Sequence, residues 1–96
     1  MAKRAEELAS SVRDVFELGR LYHQSEEFQS AINKYLEAKK LGYENQGILY
    51  AAIASCYLAL EDESSARKYA EWALRSNPEN DYVKDVWSEY EERFGG

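Results

Sequence analysis

The sequence predicts an all-α protein built from antiparallel helical hairpins. Apolar residues recur every three or four positions along most of the chain, and no stretch alternates with the period of two that a strand requires. The 96 residues include one proline and five glycines, which is too few for a loop-rich fold. Residues 48–60 form an uncharged run that is apolar on every side of a helical projection.

This uncharged run is predicted to be the central helix of the fold. A surface helix has one apolar stripe and one polar face, whereas a helix that is apolar all round needs neighbours on every side. The run is also too short for a bilayer, which takes roughly 20 apolar residues to cross. We therefore expect residues 48–60 to be buried within a small helical domain.

Two helices are predicted before this run. The first covers residues 5–22 as an amphipathic helix, although Ser10 and Ser11 leave open whether its start is a separate arm. Ser25 is the expected N-cap of the second helix, with Glu26 and Glu27 in its first turn, where the helix dipole favours acids. Gly42 follows its last turn. A short connection makes such helices antiparallel neighbours.

Two more helices are predicted after the linker 43–47 and the central run. Asp62 is the expected N-cap of a fourth helix with a narrow stripe of small residues, and Asn80 caps a fifth helix after Asn77 and Pro78. The apolar positions of the fourth helix are Ala66, Ala70, Ala73 and Leu74. Those of the fifth are Val83, Val86, Trp87, Tyr90 and Phe94.

The two hairpins match each other at a fixed offset of 35 residues, which indicates a repeat architecture. The matched pairs are Tyr22 and Tyr57, Ala31 and Ala66, Ala38 and Ala73, Leu18 and Ile53, and Gly19 and Ala54. Together with Val15, Tyr35, Tyr50 and Pro78, these residues follow the pattern of the tetratricopeptide repeat (TPR) family, which the chain resembles. The pattern departs from that family at Val15 and Tyr50, where tryptophan is usual, and at Tyr43, where proline is usual.

The resemblance implies a short α-solenoid of about five helices. Residues 1–96 would form a single TPR-like domain, with a first hairpin at 12–45, a second hairpin at 46–80 and a C-terminal capping helix at 81–94. In such a stack, the first helix of the second hairpin is packed between its neighbours, as its uniform hydrophobicity requires. Small residues at Gly19 and Ala54 would leave space where the helices of a hairpin cross.

The composition of the chain disfavours several classes of partner and activity. The net charge of −6 disfavours nucleic acids and anionic membranes as partners, and residues 61–96 alone carry 10 acids against 5 bases. Cys56 and His23 are the only cysteine and histidine, so no catalytic group and no metal site of about four such ligands is expected. We therefore expect a non-enzymatic protein that needs no cofactor. The N-terminus lacks a signal-peptide core, so a cytoplasmic location is expected.

The resemblance also implies a binding site. In this family the first helix of each hairpin lines a concave groove that binds a peptide or helix, so the chain is predicted to be a protein-interaction scaffold. The apolar character of the wall suggests a hydrophobic guest, and Leu58→Glu is expected to abolish binding with little loss of helicity. The predicted wall consists of Arg13, Phe16, Arg20, His23, Ile48, Ala51, Ala52, Ser55, Leu58 and Ala59.

Three alternatives stay open. In one of them the groove is filled by the chain's own cap or N-terminal arm, or is shallow because there are only two hairpins. In another the chain is a designed or engineered helical protein without a natural ligand. A regular surface of charged residues favours design, whereas Cys56, His23 and the irregular linker 43–47 argue against it. A piece of a longer solenoid would self-associate through its terminal helices. We expect a monomer, with Tyr69 and Trp72 packed on the final helix rather than exposed as a dimer contact.

Overall fold

The computed structural model describes residues 3–95, with side chains from residue 12 onward. It confirms the all-α fold class, and no strand occurs within this range. The apolar side chains of the first predicted helix that precede Val12, such as those of Ala5 and Leu8, are outside the described part of the structure. The helices are α1 (Lys3–Gln24), α2 (Phe28–Lys40), α3 (Gln46–Ala59), α4 (Glu63–Ser76) and α5 (Asp81–Tyr90), followed by one π-helical turn (Glu91–Gly95).

The chain divides into two compact units, with the boundary along the sequence between Glu44 and Asn45. The first unit contains α1 and α2, which pack against each other as a hairpin. In the second unit, α3 and α4 form another hairpin and α5 packs against both of them. The sequence left open a break at Ser10 and Ser11, and the structure has none there: α1 runs unbroken from Lys3 to Gln24.

The turns of the two hairpins have the same backbone structure at the predicted offset of 35 residues. Glu26 and Glu61 both adopt the left-handed conformation, with φ of 61° and 59°. In each turn the next amide donates to the carbonyl five residues back, from Glu27 to Tyr22 and from Asp62 to Tyr57. This is the usual way to satisfy the last carbonyls of a helix. The repeat is therefore present in the hydrogen bonds as well as in the sequence.

These turns correct one predicted cap. Ser25 and Glu26 belong to the end of α1, and α2 begins later, at Phe28, with Glu27 as an N-cap that makes no side-chain bond. The acids expected in the first turn of α2 therefore lie before the helix. The cap was misplaced because serine is common both at helix starts and in turns.

The other predicted caps are confirmed. The Asp62 carboxylate accepts from the Ser65 amide at 3.2 Å, and the Asn80 side chain accepts from the Val83 amide at 3.1 Å. A further cap was not predicted: the Asn45 side chain accepts from the Ile48 amide at 3.4 Å. Helix α3 therefore begins two residues before the uncharged run.

The core of the second unit confirms the predicted stripes. The alanine stripe of α4 is buried, as are three apolar residues of α5, and both pack against α3. Helix α3 itself is buried on opposite sides of its axis, because Ala54 and Cys56, which are two residues and so about 200° apart around a helix, are both fully inaccessible. The buried cluster consists of Ala51, Ala54, Leu58, Ala66, Ala70, Ala73, Val83, Val86 and Tyr90.

Gly47 has a structural role that the linker prediction missed. It lies in the first turn of α3, buried against the side chain of Asn77, and a Cβ atom added at Gly47 would meet the Cβ of Asn77 at 2.5 Å. We expect Gly47→Ala to lower the free energy of unfolding by about 2 kcal/mol, because the overlap outweighs the gain in helix propensity. Urea denaturation checks this value. Asn77→Gly in the same chain should restore most of the loss, and a loss of equal size in that background would contradict the contact.

Candidate functional site

The predicted groove residues of the first unit lie along one face of α1. Phe16 is the apolar centre of this face, and it is covered by the chain itself. Its ring stacks on Tyr43 with centroids 4.2 Å apart and also contacts Tyr35 at 5.4 Å, which leaves Phe16 7% exposed. Tyr43, at the position where the TPR pattern has proline, therefore covers the ring of Phe16.

Arg13 and Arg20 are exposed on this face, and Arg20 forms an ion pair with Glu17 at 3.3 Å. Burial raises the pKa of Tyr43 most, and the Glu17 carboxylate raises it further, whereas Arg20 and Arg13 lower it. The Tyr43 side chain is thus within the electrostatic range of both arginines. The accessible part of this wall is basic and polar, not apolar as the sequence suggested.

His23 is half-buried at the end of α1. Its Nδ1 lies 3.2 Å from the hydroxyl of Tyr35, and its ring meets Phe28 edge-on at 5.9 Å. Tyr35 is 1% exposed, and its ring fills the space above Gly19, where an added Cβ would come within 2.8 Å of two ring carbons. His23 is therefore a packing residue of the first hairpin.

Two groove residues of the second unit are not accessible. Ala51 and Leu58 are both 0% exposed and belong to the cluster that α5 covers. Arg93, in the π-helical turn that follows α5, contacts the same helix, because its Nη1 donates to the Leu58 carbonyl at 2.9 Å. The expectation that Leu58→Glu leaves helicity intact is therefore wrong, since Leu58 is part of the core.

The remaining residues of the predicted wall differ in exposure. Ala52 is buried, Ile48 and Ser55 are half-buried, and Ala59 is exposed at the end of α3. Of the predicted set, only Arg13, Arg20 and Ala59 are exposed. The repeat register places residues on helix faces but does not say which segment covers a face, so it did not reveal that Tyr43 covers Phe16 and that α5 covers Ala51 and Leu58.

Tyr69 and Trp72 pack on α3, a contact that the sequence did not predict, and Tyr69 also packs against the cluster that contains residues of α5. Their rings contact α3: Tyr69 stacks on Tyr57 with centroids 5.8 Å apart, and Trp72 meets Tyr50 at 5.5 Å. Each of these four residues keeps part of its side chain in solvent. We call the surface formed by Tyr50, Tyr57, Tyr69 and Trp72 the aromatic face.

Cys56 is a buried thiol, as predicted. It is 0% exposed, and burial raises its pKa from 9.0 to about 12. Between pH 9 and about pH 12 the thiol of the unfolded chain loses its proton while that of the folded chain keeps it. The free energy of unfolding is therefore unaffected by this thiol below pH 9 and falls as the pH rises toward about 12. We expect urea midpoints measured from pH 8 to pH 11 to fall less steeply in Cys56→Ala. Identical pH profiles would contradict this assignment.

The described residues contain no group of three or more histidine, cysteine or acidic side chains placed to hold a metal ion. No helix in the same part of the chain combines the length and hydrophobicity needed to cross a membrane. Compared with models of protein families and with curated proteins, the chain matches none.

Proposed function

We propose that the chain is a non-enzymatic helical-repeat scaffold of TPR-like architecture that binds a peptide or helix of a partner protein. It acts without a cofactor, as a monomer in the cytoplasm. The observation that carries the proposal is the recurrence of one hairpin turn at 35 residues, with Glu26 and Glu61 in the same left-handed conformation. Repeats of this kind present extended surfaces for binding.

The accessible residues of α1 define the chemistry of the guest. Arg13 and Arg20 are exposed on one face, two turns apart, beside the half-buried His23. A guest with acidic side chains complements these two guanidinium groups, which form bidentate bonds with carboxylates. Because Phe16 is covered by Tyr43, a purely apolar guest fits this face less well than an acidic amphipathic one.

Selection from a displayed peptide library on the full chain tests this proposal. Affinities of the selected peptides are then measured by fluorescence anisotropy with the wild type and with Arg13→Glu/Arg20→Glu, which we expect to bind at least about tenfold more weakly. The matched control is Lys39→Glu/Lys40→Glu, which makes the same charge change at the end of α2. Equal weakening by both double variants would contradict binding along α1.

A second candidate is a designed or engineered helical protein that folds but has no ligand. Coverage of Phe16 by Tyr43, and of Ala51 and Leu58 by α5, favours this candidate. Glutamate at two left-handed positions argues against it, because idealised designs place glycine there. A library selection that yields no saturable binder would support this second candidate.

A further inference from the structure

We propose that the aromatic face binds a basic segment of a partner protein, with an arginine or lysine side chain lying on its rings. This inference is separate from the binding proposed for α1, because it concerns only residues of the second unit. It names a cationic guest, whereas the α1 face calls for an acidic one.

The rings form one continuous surface. Tyr69 is at its centre, 5.8 Å from Tyr57, 6.1 Å from Tyr50 and 5.3 Å from Trp72. A cation already lies on it: the Lys68 ammonium is 5.0 Å from the centroid of Trp72 and 5.5 Å from that of Tyr69. These distances are within the range of about 6 Å for cation–π attraction. The face is thus shaped to accept a positive charge.

The first hairpin folds without aromatic rings at three of these four positions. The equivalent positions of the first hairpin, 35 residues earlier, are Val15, Tyr22, Lys34 and Glu37. Lys34 and Glu37, which correspond to Tyr69 and Trp72, form a solvent-exposed ion pair at 3.3 Å. Because the first hairpin folds with a charged pair at these two positions, the large aromatic rings of the second hairpin call for another explanation. Tyrosine and tryptophan are the residues most enriched at binding hot spots.

Charge around the face complements a basic guest. Residues 61–96 carry 10 acids and 5 bases, and two of the four residues of the face, Tyr69 and Trp72, belong to this part of the chain. Burial raises the pKa of Tyr57 most and the Asp62 carboxylate raises it further, so Asp62 is within electrostatic range of Tyr57. Glu71, adjacent to Trp72, pairs with Arg67 at 3.6 Å. A guest cation would meet aromatic faces and nearby carboxylates together.

The test measures binding of a fluorescein-labelled octa-arginine peptide to the full chain by anisotropy, at about physiological ionic strength, where exposed charges are screened beyond about 8 Å. We expect saturable binding that Trp72→Leu weakens by about tenfold, because the leucine has no ring to attract the cation. Tyr69→Leu should act in the same direction. Circular dichroism establishes that both variants keep their helices, since each side chain is only partly buried.

Matched charge variants separate ring recognition from general acidity. Lys68→Gln removes the cation that occupies the face, and Lys84→Gln makes the same charge change on α5. We expect Lys68→Gln to bind more tightly than Lys84→Gln. Unchanged affinity in Trp72→Leu, or equal effects of the two lysine variants, would overturn the proposal. Light scattering that shows a dimer lost in Trp72→Leu would assign the face to a second copy instead, and would also overturn it.

Discussion

Leu58→Glu is expected to unfold the second unit. Leu58 is 0% exposed and lies between the alanine stripe of α4 and the apolar side of α5. The substitution removes the packing of a buried leucine and places a carboxylate there without a partner, which together should cost at least about 5 kcal/mol. That is comparable with the whole stability of a small domain. Far-ultraviolet circular dichroism and urea denaturation measure the loss.

Leu60→Glu is the matched control, because it makes the same chemical change two residues later. Leu60 is 43% exposed at the end of α3, so we expect a loss of under about 1 kcal/mol. Similar losses in the two variants would mean that α5 does not cover Leu58. A folded Leu58→Glu protein would reopen the groove predicted from the sequence.

Tyr35→Ala is expected to lower the free energy of unfolding by about 4 kcal/mol. Its ring is 1% exposed, contacts Phe16 and fills the space above Gly19. Loss of a buried aromatic ring typically costs about 3–5 kcal/mol. Tyr35→Phe keeps the ring and removes the hydroxyl that contacts His23, so it should cost about 1 kcal/mol. Urea denaturation of the three proteins checks both values.

The second hairpin supplies a sharper control. It has Ala54 and Ala70 where the first hairpin has Gly19 and Tyr35. Gly19→Ala should destabilise the wild type, because the added methyl group meets the Tyr35 ring at 2.8 Å. In the Tyr35→Ala background the same change should stabilise the protein by up to about 1 kcal/mol through helix propensity. The same sign in both backgrounds would contradict the contact between the two residues.

The helices were predictable because their signals are local. Periodicity gave the stripes of α4 and α5, and side-chain chemistry gave the caps at Asp62 and Asn80. The uniform hydrophobicity of residues 48–60 correctly predicted a helix buried on opposite sides. The start of α2 was predicted wrongly, since nothing near Ser25 distinguishes a cap from a left-handed turn that ends at Glu26.

The candidate site was predicted less well, because exposure depends on which segments cover a face. The repeat register assigned Phe16 and Leu58 to an open wall, yet Tyr43 and α5 cover them. A repeat register assigns each residue to a helix face but does not say which segment covers that face. The aromatic face was missed for a related reason: Tyr50 and Tyr57 were assigned only as positions of the repeat pattern, and the packing of α3 on α4 is what brings them against Trp72 and Tyr69.

The local nature of the hairpins has a kinetic consequence. Each hairpin turn is closed by hydrogen bonds between residues that are at most five apart. Helix α1 packs on α2, and α3 packs on α4, across connections of only a few residues. Topologies dominated by such short-range contacts fold in microseconds to milliseconds. We expect the contact between Arg93 and Leu58, which spans 35 residues, to form late in folding. Stopped-flow or temperature-jump refolding of Arg93→Ala should leave the folding rate unchanged and accelerate unfolding.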